Sequence, residues 1–399
     1  MARLGEGPVD WLLTNAVLAD VDGHGSLRIE EGWLHVRGER ICARGTGRPP
    51  ADLPHVDAGG AVVTPAFVEC HSHLLFAGNR LGDWMRRQGL EPDDPRLGTG
   101  GIAATAKATS ALDDAQLVAT TLARLAPLAR SGVGTVEIKT GYGLSAPAEL
   151  RLARLALEVA ERARHDIGLD VVVTFLGLHA LPTAPAHERR HIVDDMIGAL
   201  DELPAGVRTV DAFVDPAGVS AEEARPFLEA ARARGFDLRL HVDQFADANG
   251  AALAASLGAL SADHLDATGP EGIAALAAAG TVGVLTPIAT VLSGTRLRPP
   301  VMALRDAGVG LAVSADANPG TSPSADLRLA ALLAVTELGL RPDEAFAGIT
   351  LHAARALGLA DRGTLEAGAR ADLVAWPVSH PFELVLSHLP LEPWRPLPD

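Results

Sequence analysis

Eight short apolar runs, separated by stretches of helical period, are the feature that most constrains the fold of this chain. In the stretches between them, such as residues 148–164, 221–234 and 269–279, apolar residues return at helical spacing. Strands that alternate with helices are typical of βα units around a parallel sheet, and eight units predict a (β/α)8 barrel. The predicted strands span residues 62–68, 134–139, 171–176, 210–214, 238–242, 259–262, 282–285 and 310–314. A doubly wound open sheet is the alternative, but its glycine-rich phosphate fingerprint is missing after the first run.

The two ends of the chain differ from the middle. Residues 10–63 contain short strand-like pieces with glycine turns and no strong helix, and residues 363–376 repeat that texture. We therefore expect both ends to pair into one small, β-sandwich-like domain beside the barrel. The predicted domains are residues 1–63 and 363–399 for this composite β domain and residues 64–362 for the barrel.

Composition excludes several classes of protein. The 399 residues carry a net charge of −16, which disfavours nucleic acid and anionic membranes as partners. The only cysteines are Cys42 and Cys70, without a Cys-x-x-Cys motif, so a reducing cytoplasm is expected. The first residues lack a signal-peptide core, and no apolar run approaches the roughly 18 to 20 residues of a membrane span.

Polar residues able to bind a metal follow the ends of several predicted strands. His71 and His73 lie at i and i+2, so both side chains point to the same side of a strand end. A lone His-x-His is weak evidence, and a single histidine there is more often structural. However, further strand ends carry His179, His241, Asp263-His264 and Asp316. The carboxyl ends of barrel strands share one face, where barrel enzymes build their sites.

The residues His71, His73, His241 and Asp316 together predict a metal site. Three imidazoles and one carboxylate leave a coordination position open for water, which a bound metal can ionise near neutral pH. Strand 210–214 has no lysine that could bridge a second metal, so we expect one metal per chain. Zinc and iron both accept this set of ligands.

Six stretches at these strand ends resemble a known family. They span residues 71–80, 137–144, 174–180, 241–244, 261–265 and 316–322. The Lys-Thr-Gly-Tyr-Gly stretch at 139–143 and the Asp-x-Asn-Pro-Gly-Thr stretch at 316–321 are far more specific than His-x-His. With them, residues 60–375 resemble the imidazolonepropionase family of the amidohydrolase superfamily.

The resemblance implies hydrolysis of 4-imidazolone-5-propanoate, a small anionic heterocycle, to N-formimidoyl-L-glutamate, and it implies a homodimer. Another mononuclear cyclic amidohydrolase, or an aminohydrolase (deaminase) acting on a small heterocycle, is the alternative among enzymes. A silent barrel that serves as a scaffold is the alternative from another class, and the complete set of metal ligands argues against it.

Several residues are expected to recognise the substrate. Arg80 can grip a carboxylate with two hydrogen bonds, although a solvated loop charge is the plainer interpretation. Tyr142, the only tyrosine, lies between two glycines and is expected to hydrogen-bond the substrate. Gln244 stands where some family members have glutamate and is expected to contribute a hydrogen bond. Asn318, Gly320 and Thr321 offer further amide and backbone donors, with ordinary turn chemistry as the alternative.

Three residues are expected to carry the proton transfers. His179 and His264 are candidates for polarising the ring carbonyl and for proton transfer. Asp316 can bind the metal and also take the proton of the attacking water. Because the amide of Gln244 cannot act as a base, a basic role falls to Asp316 or His264. The loop 84–102 departs from the family: Trp84, prolines and acids stand where members often have a tyrosine and a Gly-Gly-Gly-Ile run.

Overall fold

The computed structural model describes residues 10–50, 53–94, 96–182 and 184–398. The first nine residues, on which the expected absence of a signal peptide rests, lie outside the described residues. Pro95, within the divergent loop 84–102, also lies outside them.

The strands form two sheets. The first five are β1 (Asp10–Val21), β2 (Leu27–Arg37), β3 (Arg40–Gly45), β4 (His55–Asp57) and β5 (Val62–Pro65). The next eight are β6 (Phe67–Glu69), β7 (Val133–Lys139), β8 (Asp170–Leu178), β9 (Thr209–Val214), β10 (Asp237–Val242), β11 (Ser261–His264), β12 (Val282–Leu285) and β13 (Leu311–Val313). The chain ends its strands with β14 (Leu373–Trp376).

The eight strands β6 to β13 neighbour one another in chain order, and every pairing between them is parallel. A parallel bridge between Ser72 and Ala317 joins the segments that follow the first and last of these strands. The other strands form a separate sheet in the order β14-β5-β1-β2-β3, with β4 paired to β1. The predicted barrel and the pairing of the two chain ends are therefore confirmed.

Helices connect the barrel strands and cover their outer face. In the described part of the chain they are α1 (Leu81–Arg87), α2 (Gly101–Ala111), α3 (Asp114–Arg130), α4 (Ala146–Ile167), α5 (Ala186–Ala199), α6 (Ala221–Ala233), α7 (Gly250–Ser256), α8 (Pro270–Ala279), α9 (Pro287–Leu292), α10 (Val301–Asp306), α11 (Leu327–Thr336), α12 (Pro342–Gly348), α13 (Leu351–Ala356) and α14 (Glu383–Leu386). A 3₁₀ turn, Leu200–Glu202, follows α5. None of the described helices is long and apolar enough to cross a membrane.

The prediction of one strand over residues 62–68 is wrong. The run is divided between the two sheets, with β5 in the small sheet and β6 in the barrel. Pro65 ends the first part because proline has no N–H to donate to a ladder. The Ala66 N–H then donates to the Asp372 carbonyl at 2.7 Å, and the Phe67 N–H donates to the Gly132 carbonyl at 3.0 Å. Apart from Thr64 the run is apolar, so hydropathy alone does not mark the change of sheet.

Trp376 of β14 fastens the small sheet to the barrel. Its ring stacks on Phe67 of β6 with centroids 4.9 Å apart, and its Nε1–H donates to Thr64 Oγ1 at 2.8 Å. Gly132 makes room for the indole, because a Cβ built there would lie 2.4 Å from the ring. The β domain thus packs against the start of the first barrel strand, which positions the loop that follows that strand.

Candidate active site

Four predicted metal ligands meet at the carboxyl ends of the barrel strands. His71 and His73 follow β6, His241 lies near the end of β10, and Asp316 comes three residues after β13. His73 Nε2 lies 3.2 Å from His71 Nε2 and 3.1 Å from His241 Nε2. Asp316 Oδ1 lies 3.6 Å from His71 Nε2 and 3.7 Å from His73 Nε2. All four side chains are buried.

The Nδ1 atoms of two of these histidines lie beside buried carboxylates. His71 Nδ1 lies 2.6 Å from Asp263 Oδ2, and His241 Nδ1 lies 3.0 Å from Asp211 Oδ2. Burial, with neighbouring Lys139, lowers the pKa of both histidines well below the usual value, so both are neutral. A neutral imidazole that donates from Nδ1 carries its lone pair on Nε2. His71, whose Nδ1 is hydrogen-bonded to Asp263, therefore directs its lone pair towards the centre of the site, whereas His241 Nδ1 lies near Asp211 without a hydrogen bond among the described residues.

The carboxylate of Asp316 belongs, with His71 and His73, to one of two groups of atoms that could hold a metal ion. Its Oδ1 has no hydrogen-bond partner among the described residues, although it is buried. Burial raises the pKa of Asp316 well above the usual value, and a nearby cation would reverse that effect. Converging nitrogen lone pairs beside an unpartnered carboxylate oxygen are the donor chemistry of a metal site.

His264 lies on the far side of the same cluster. His71, His241 and His264 can also offer ligand atoms within 4.8 Å of one another, as can His71, His73 and Asp316. His264 Nδ1 is 2.9 Å from Thr286 Oγ1, and burial lowers the pKa of His264 to about 4. His264 and Asp316 have φ angles of +82° and +52°, which residues other than glycine rarely adopt. Such backbone conformations cluster where a side chain must be aimed.

A buried network of ion pairs, which the sequence analysis missed, contacts the carboxylates that lie beside His71 and His241. Lys139 Nζ lies 2.7 Å from Asp211 Oδ2 and 3.0 Å from Glu137 Oε2. Arg239 Nη1 lies 2.6 Å from Glu137 Oε1, and its Nη2 lies 3.1 Å from Asp263 Oδ2. The signal was present in the sequence, because these charged residues stand inside apolar strands, and Glu137 and Arg239 lie two residues before Lys139 and His241. The network fixes the carboxylates that orient His71 and His241.

Glu69 links the first and last barrel strands under the same site. Its carboxylate accepts the N–H of His71 at 3.1 Å and the N–H of Ala315 at 2.9 Å, and it also pairs with the Ser314 hydroxyl. Burial raises the pKa of Glu69 to about 7. This contact holds the His-x-His segment against the segment that carries Asp316.

A cavity of about 420 Å³ opens above this cluster. It brings together the residues predicted to contact substrate, which are Arg80, Tyr142, His179, Gln244, Asn318, Gly320 and Thr321. His73, His241, His264 and Asp316 line the same cavity. Its wall also includes Phe213, Phe245 and Arg87, none of which the sequence analysis assigned.

Tyr142 and His179 present defined hydrogen-bonding groups to the cavity. Burial, with the nearby charge of Asp316, raises the pKa of Tyr142, so its hydroxyl stays protonated and can donate. His179 Nδ1 lies 2.8 Å from the Gly141 carbonyl, which can only accept, and burial lowers the pKa of His179 to about 4. Neutral His179 therefore donates to Gly141 and keeps an acceptor at Nε2.

The segment 318–321 is a turn held by hydrogen bonds between its own residues. Asn318 Oδ1 accepts the backbone N–H of Gly320 at 2.8 Å and that of Thr321 at 2.7 Å. Asn318 Nδ2 donates to the Asp316 carbonyl at 2.7 Å. Ordinary turn chemistry thus occupies the backbone donors in this structure, and a contact of these residues with substrate stays a prediction.

Comparison with known proteins agrees with this geometry. The family model described as "Amidohydrolase family" matches residues 62–389, so the chain belongs to the amidohydrolase family. It is 44% identical over 391 residues to an imidazolonepropionase of Maricaulis maris (strain MCS10), with 94% of this chain and 95% of that protein covered. An imidazolonepropionase of Chromobacterium violaceum (strain ATCC 12472) is 43% identical over 400 residues, with 95% and 94% covered. These relatives place the chain, within that family, among the imidazolonepropionases, as the sequence motifs predicted.

Solved structures share the fold at low sequence identity. N-isopropylammelide isopropylaminohydrolase from Burkholderia multivorans ATCC 17616 has a TM-score of 0.69 at 20% identity, with 95% of this chain and 94% of that chain covered. Atrazine chlorohydrolase from Arthrobacter aurescens TC1, solved with zinc, has a TM-score of 0.70 at 18% identity, with 95% and 92% covered. At these identities the likeness establishes the fold alone.

Proposed function

We propose that this chain hydrolyses 4-imidazolone-5-propanoate to N-formimidoyl-L-glutamate. The observation that carries the proposal is a single cavity lined by His73, His241, His264 and Asp316 and also by Arg80. That arrangement matches a substrate with a cyclic amide at one end and a carboxylate at the other. The identity to imidazolonepropionases over more than nine tenths of the chain supports the same substrate.

We propose that His71, His73, His241 and Asp316 hold one zinc or iron ion. A metal bound there would polarise the ring carbonyl and make water acidic enough to attack near neutral pH. The buried carboxylates of Asp211 and Asp263 would keep the histidine rings in place for it. Elemental analysis of protein purified without added metal is expected to give about one zinc or iron per chain, because three imidazole nitrogens and one carboxylate form a single metal site. Two metals at full occupancy would contradict this assignment.

In the proposed reaction, water oxygen bonds to the ring carbonyl carbon, the ring C–N bond breaks, and the nitrogen gains a proton. Asp316 accepts the proton of the attacking water, and His264 assists its transfer to the nitrogen that leaves. His264 suits that role because Thr286 contacts its Nδ1, while the ring borders the cavity. A residue that serves as acid or base must lie within hydrogen-bond reach of the reacting group.

Other residues would bind and orient the ring. Tyr142 would donate a hydrogen bond to the substrate, whereas neutral His179 would accept one at Nε2, from a ring N–H. This refines the role that the sequence suggested for His179, because an acceptor cannot polarise a carbonyl. The amide of Gln244, which borders the cavity, would add a hydrogen bond made equally in the ground and transition states.

A turnover assay tests the proposal. The purified protein is offered freshly made imidazolone propionate beside a panel of small cyclic amides and aminopurines, with metal-stripped protein as the control. We expect imidazolone propionate to be the preferred substrate by kcat/KM. Faster release of ammonia from an aminopurine would favour the deaminase instead, and no turnover by metal-loaded protein would favour a silent barrel.

A further inference from the structure

Helix α1 places a second arginine at the mouth of the cavity. Arg87 lines the cavity together with Arg80, seven residues earlier in the chain. The Arg87 Nη2–H donates to the Gly320 carbonyl at 2.8 Å, while a Cβ built on Gly320 would lie 3.1 Å from Arg80 Nη1. Both guanidinium groups therefore lie next to the same turn, 318–321.

Arg87 is held in place although much of it is exposed. Its guanidinium carbon lies 4.7 Å from the centre of the Trp84 ring, a cation–π contact. Trp84 is itself fixed, since its Nε1–H donates to the Pro319 carbonyl at 3.2 Å. An exposed arginine usually samples many rotamers, and these contacts reduce the entropy that would be lost when it binds an anion.

The charges at this end of the cavity are not balanced. Asp83 forms an ion pair with Arg80 and also accepts the N–H groups of Gly100 and Gly101, at 3.0 and 3.1 Å. Among the described residues Arg87 has no acidic partner, because its hydrogen bond goes to a backbone carbonyl. Two guanidinium groups thus share one carboxylate, in a chain whose net charge is −16. A local positive field in an acidic protein attracts a small anion to this place.

We propose that Arg87, held by Trp84 and the Gly320 carbonyl, is a second carboxylate-binding residue that makes the site prefer anionic heterocycles over neutral ones. The inference rests on the proposed function and adds a residue to it. Arg80 would bind the carboxylate inside the cavity, and Arg87 would draw it in at the mouth. Because Arg87 is partly exposed, its effect on binding should be sensitive to salt.

Arg87→Gln tests the proposal, with Arg86→Gln as its matched control. Arg86 is the neighbour on the same helix, is half-exposed and faces Glu91 at 3.7 Å, so its replacement changes the net charge equally. For Arg87→Gln we expect kcat/KM for imidazolone propionate to fall about 5- to 50-fold at low salt with kcat nearly unchanged, as for a rim charge. The difference from wild type should shrink as salt is added. Arg86→Gln should behave as wild type.

Binding of non-hydrolysed probes separates this inference from the proposed function. Calorimetry compares imidazole-4-propanoate with its neutral amide in wild type and both variants, whatever reaction the enzyme performs. A reduced preference for the carboxylate in Arg87→Gln alone supports the inference, even if imidazolone propionate is not a substrate. Equal preference in Arg87→Gln and Arg86→Gln overturns it, and melting curves confirm that both variants are folded.

Discussion

The barrel has a cavity at each end, and both are lined by histidine and arginine. The cavity of about 420 Å³ at the carboxyl ends of the strands is lined by His73, His241, His264, Asp316 and Arg80. A second cavity of about 480 Å³ lies between the β1–β2 turn and the amino ends of β12 and β13, and it includes His352 and Arg355. Residue types alone therefore do not distinguish the two cavities.

The clustering of unpartnered atoms distinguishes them, although one such atom, His352 Nδ1, also lies in the second cavity. In the second cavity Arg305 is bound by both oxygens of Glu344, each at 2.6 Å, and Arg355 donates to the Gly23 carbonyl at 2.8 Å. Those cations are engaged in contacts that hold elements together. At the other end, nitrogen lone pairs and the unpartnered Asp316 Oδ1 converge on one point. Unsatisfied groups that share a focus are the mark of a site that takes a ligand.

The largest expected difference between the cavities concerns metal. His71→Ala should lose most of its bound metal and, with it, on the order of 10⁴-fold or more in kcat/KM, since a metal supplies several kcal/mol of charge stabilisation. His352→Gln, in the other cavity, should keep both. Metal content by elemental analysis and turnover are measured on the same preparations. Equal losses in the two variants would remove the distinction drawn between the cavities.

His264→Ala tests the assigned roles within the cavity at the carboxyl ends of the strands. We expect the variant to keep its metal but to lose on the order of 10²–10⁴-fold in kcat, the scale of a lost acid–base group. Metal content and single-turnover rates check this. If metal is lost in proportion to activity, His264 belongs to the ligands, as its grouping with His71 and His241 permits. Full turnover with metal retained would show that the proton takes another route.

Arg80→Gln is expected to cost very roughly 2 to 4 kcal/mol, seen mainly as a higher KM, if its ion pair with substrate is desolvated. Arg355→Gln is the control in the other cavity and should leave KM unchanged. Steady-state kinetics with imidazolone propionate and with a neutral analogue lacking the carboxylate give the measurement. Equal impairment of the neutral analogue would contradict the assignment of Arg80 to the carboxylate.

The sequence could predict the barrel and the cluster of metal-binding residues because both follow from the pattern of strands and helices along the chain. Strand periodicity places His71, His241 and Asp316 at strand ends, and a barrel gathers strand ends on one face. The boundary at Pro65 was missed because, apart from Thr64, the residues on both sides of it are apolar. Which sheet each part joins depends on partners far along the chain, such as Val374 opposite Thr64.

Charged residues inside apolar strands signal the network of Lys139, but its pairings and the role of Arg87 could not be predicted in the same way. Lys139 meets Asp211, and Arg87 meets Gly320, across 72 and 233 residues of chain. Such contacts depend on tertiary geometry, so spacing along one strand or helix does not reveal them. The turn at 318–321 differs, because Asn318 accepts from Gly320 and Thr321, only two and three residues away, and ordinary turn chemistry is the alternative that the sequence offers there.

Gln244→Ala should have a smaller effect than Arg80→Gln. A neutral hydrogen bond contributes about 0.5–1.5 kcal/mol, so we expect KM to rise roughly 2- to 10-fold with kcat little changed. Steady-state kinetics against wild type measure this. A loss confined to kcat would instead show that the hydrogen bond of Gln244 acts in the transition state. The proposed proton path would then need revision.

The remaining expected effect is on stability rather than on turnover, and it concerns His352 in the second cavity. Burial, with Arg355 nearby, lowers the pKa of His352 to about 4, whereas an unfolded histidine titrates near 6.5. Between these values the unfolded chain binds more protons, so the free energy of unfolding falls as the pH drops from about 6.5 towards 4. The contribution of His352 between pH 7 and pH 5 is at most about 2 kcal/mol by this linkage, and less because the ring is partly exposed. His352→Gln should therefore lose less stability than wild type over that interval, as measured by urea unfolding at both pH values. Equal losses of unfolding free energy in the two proteins would mean that the pKa of His352 is not lowered. The second cavity would then differ from the first in the environment of its histidine as well as in its hydrogen bonds.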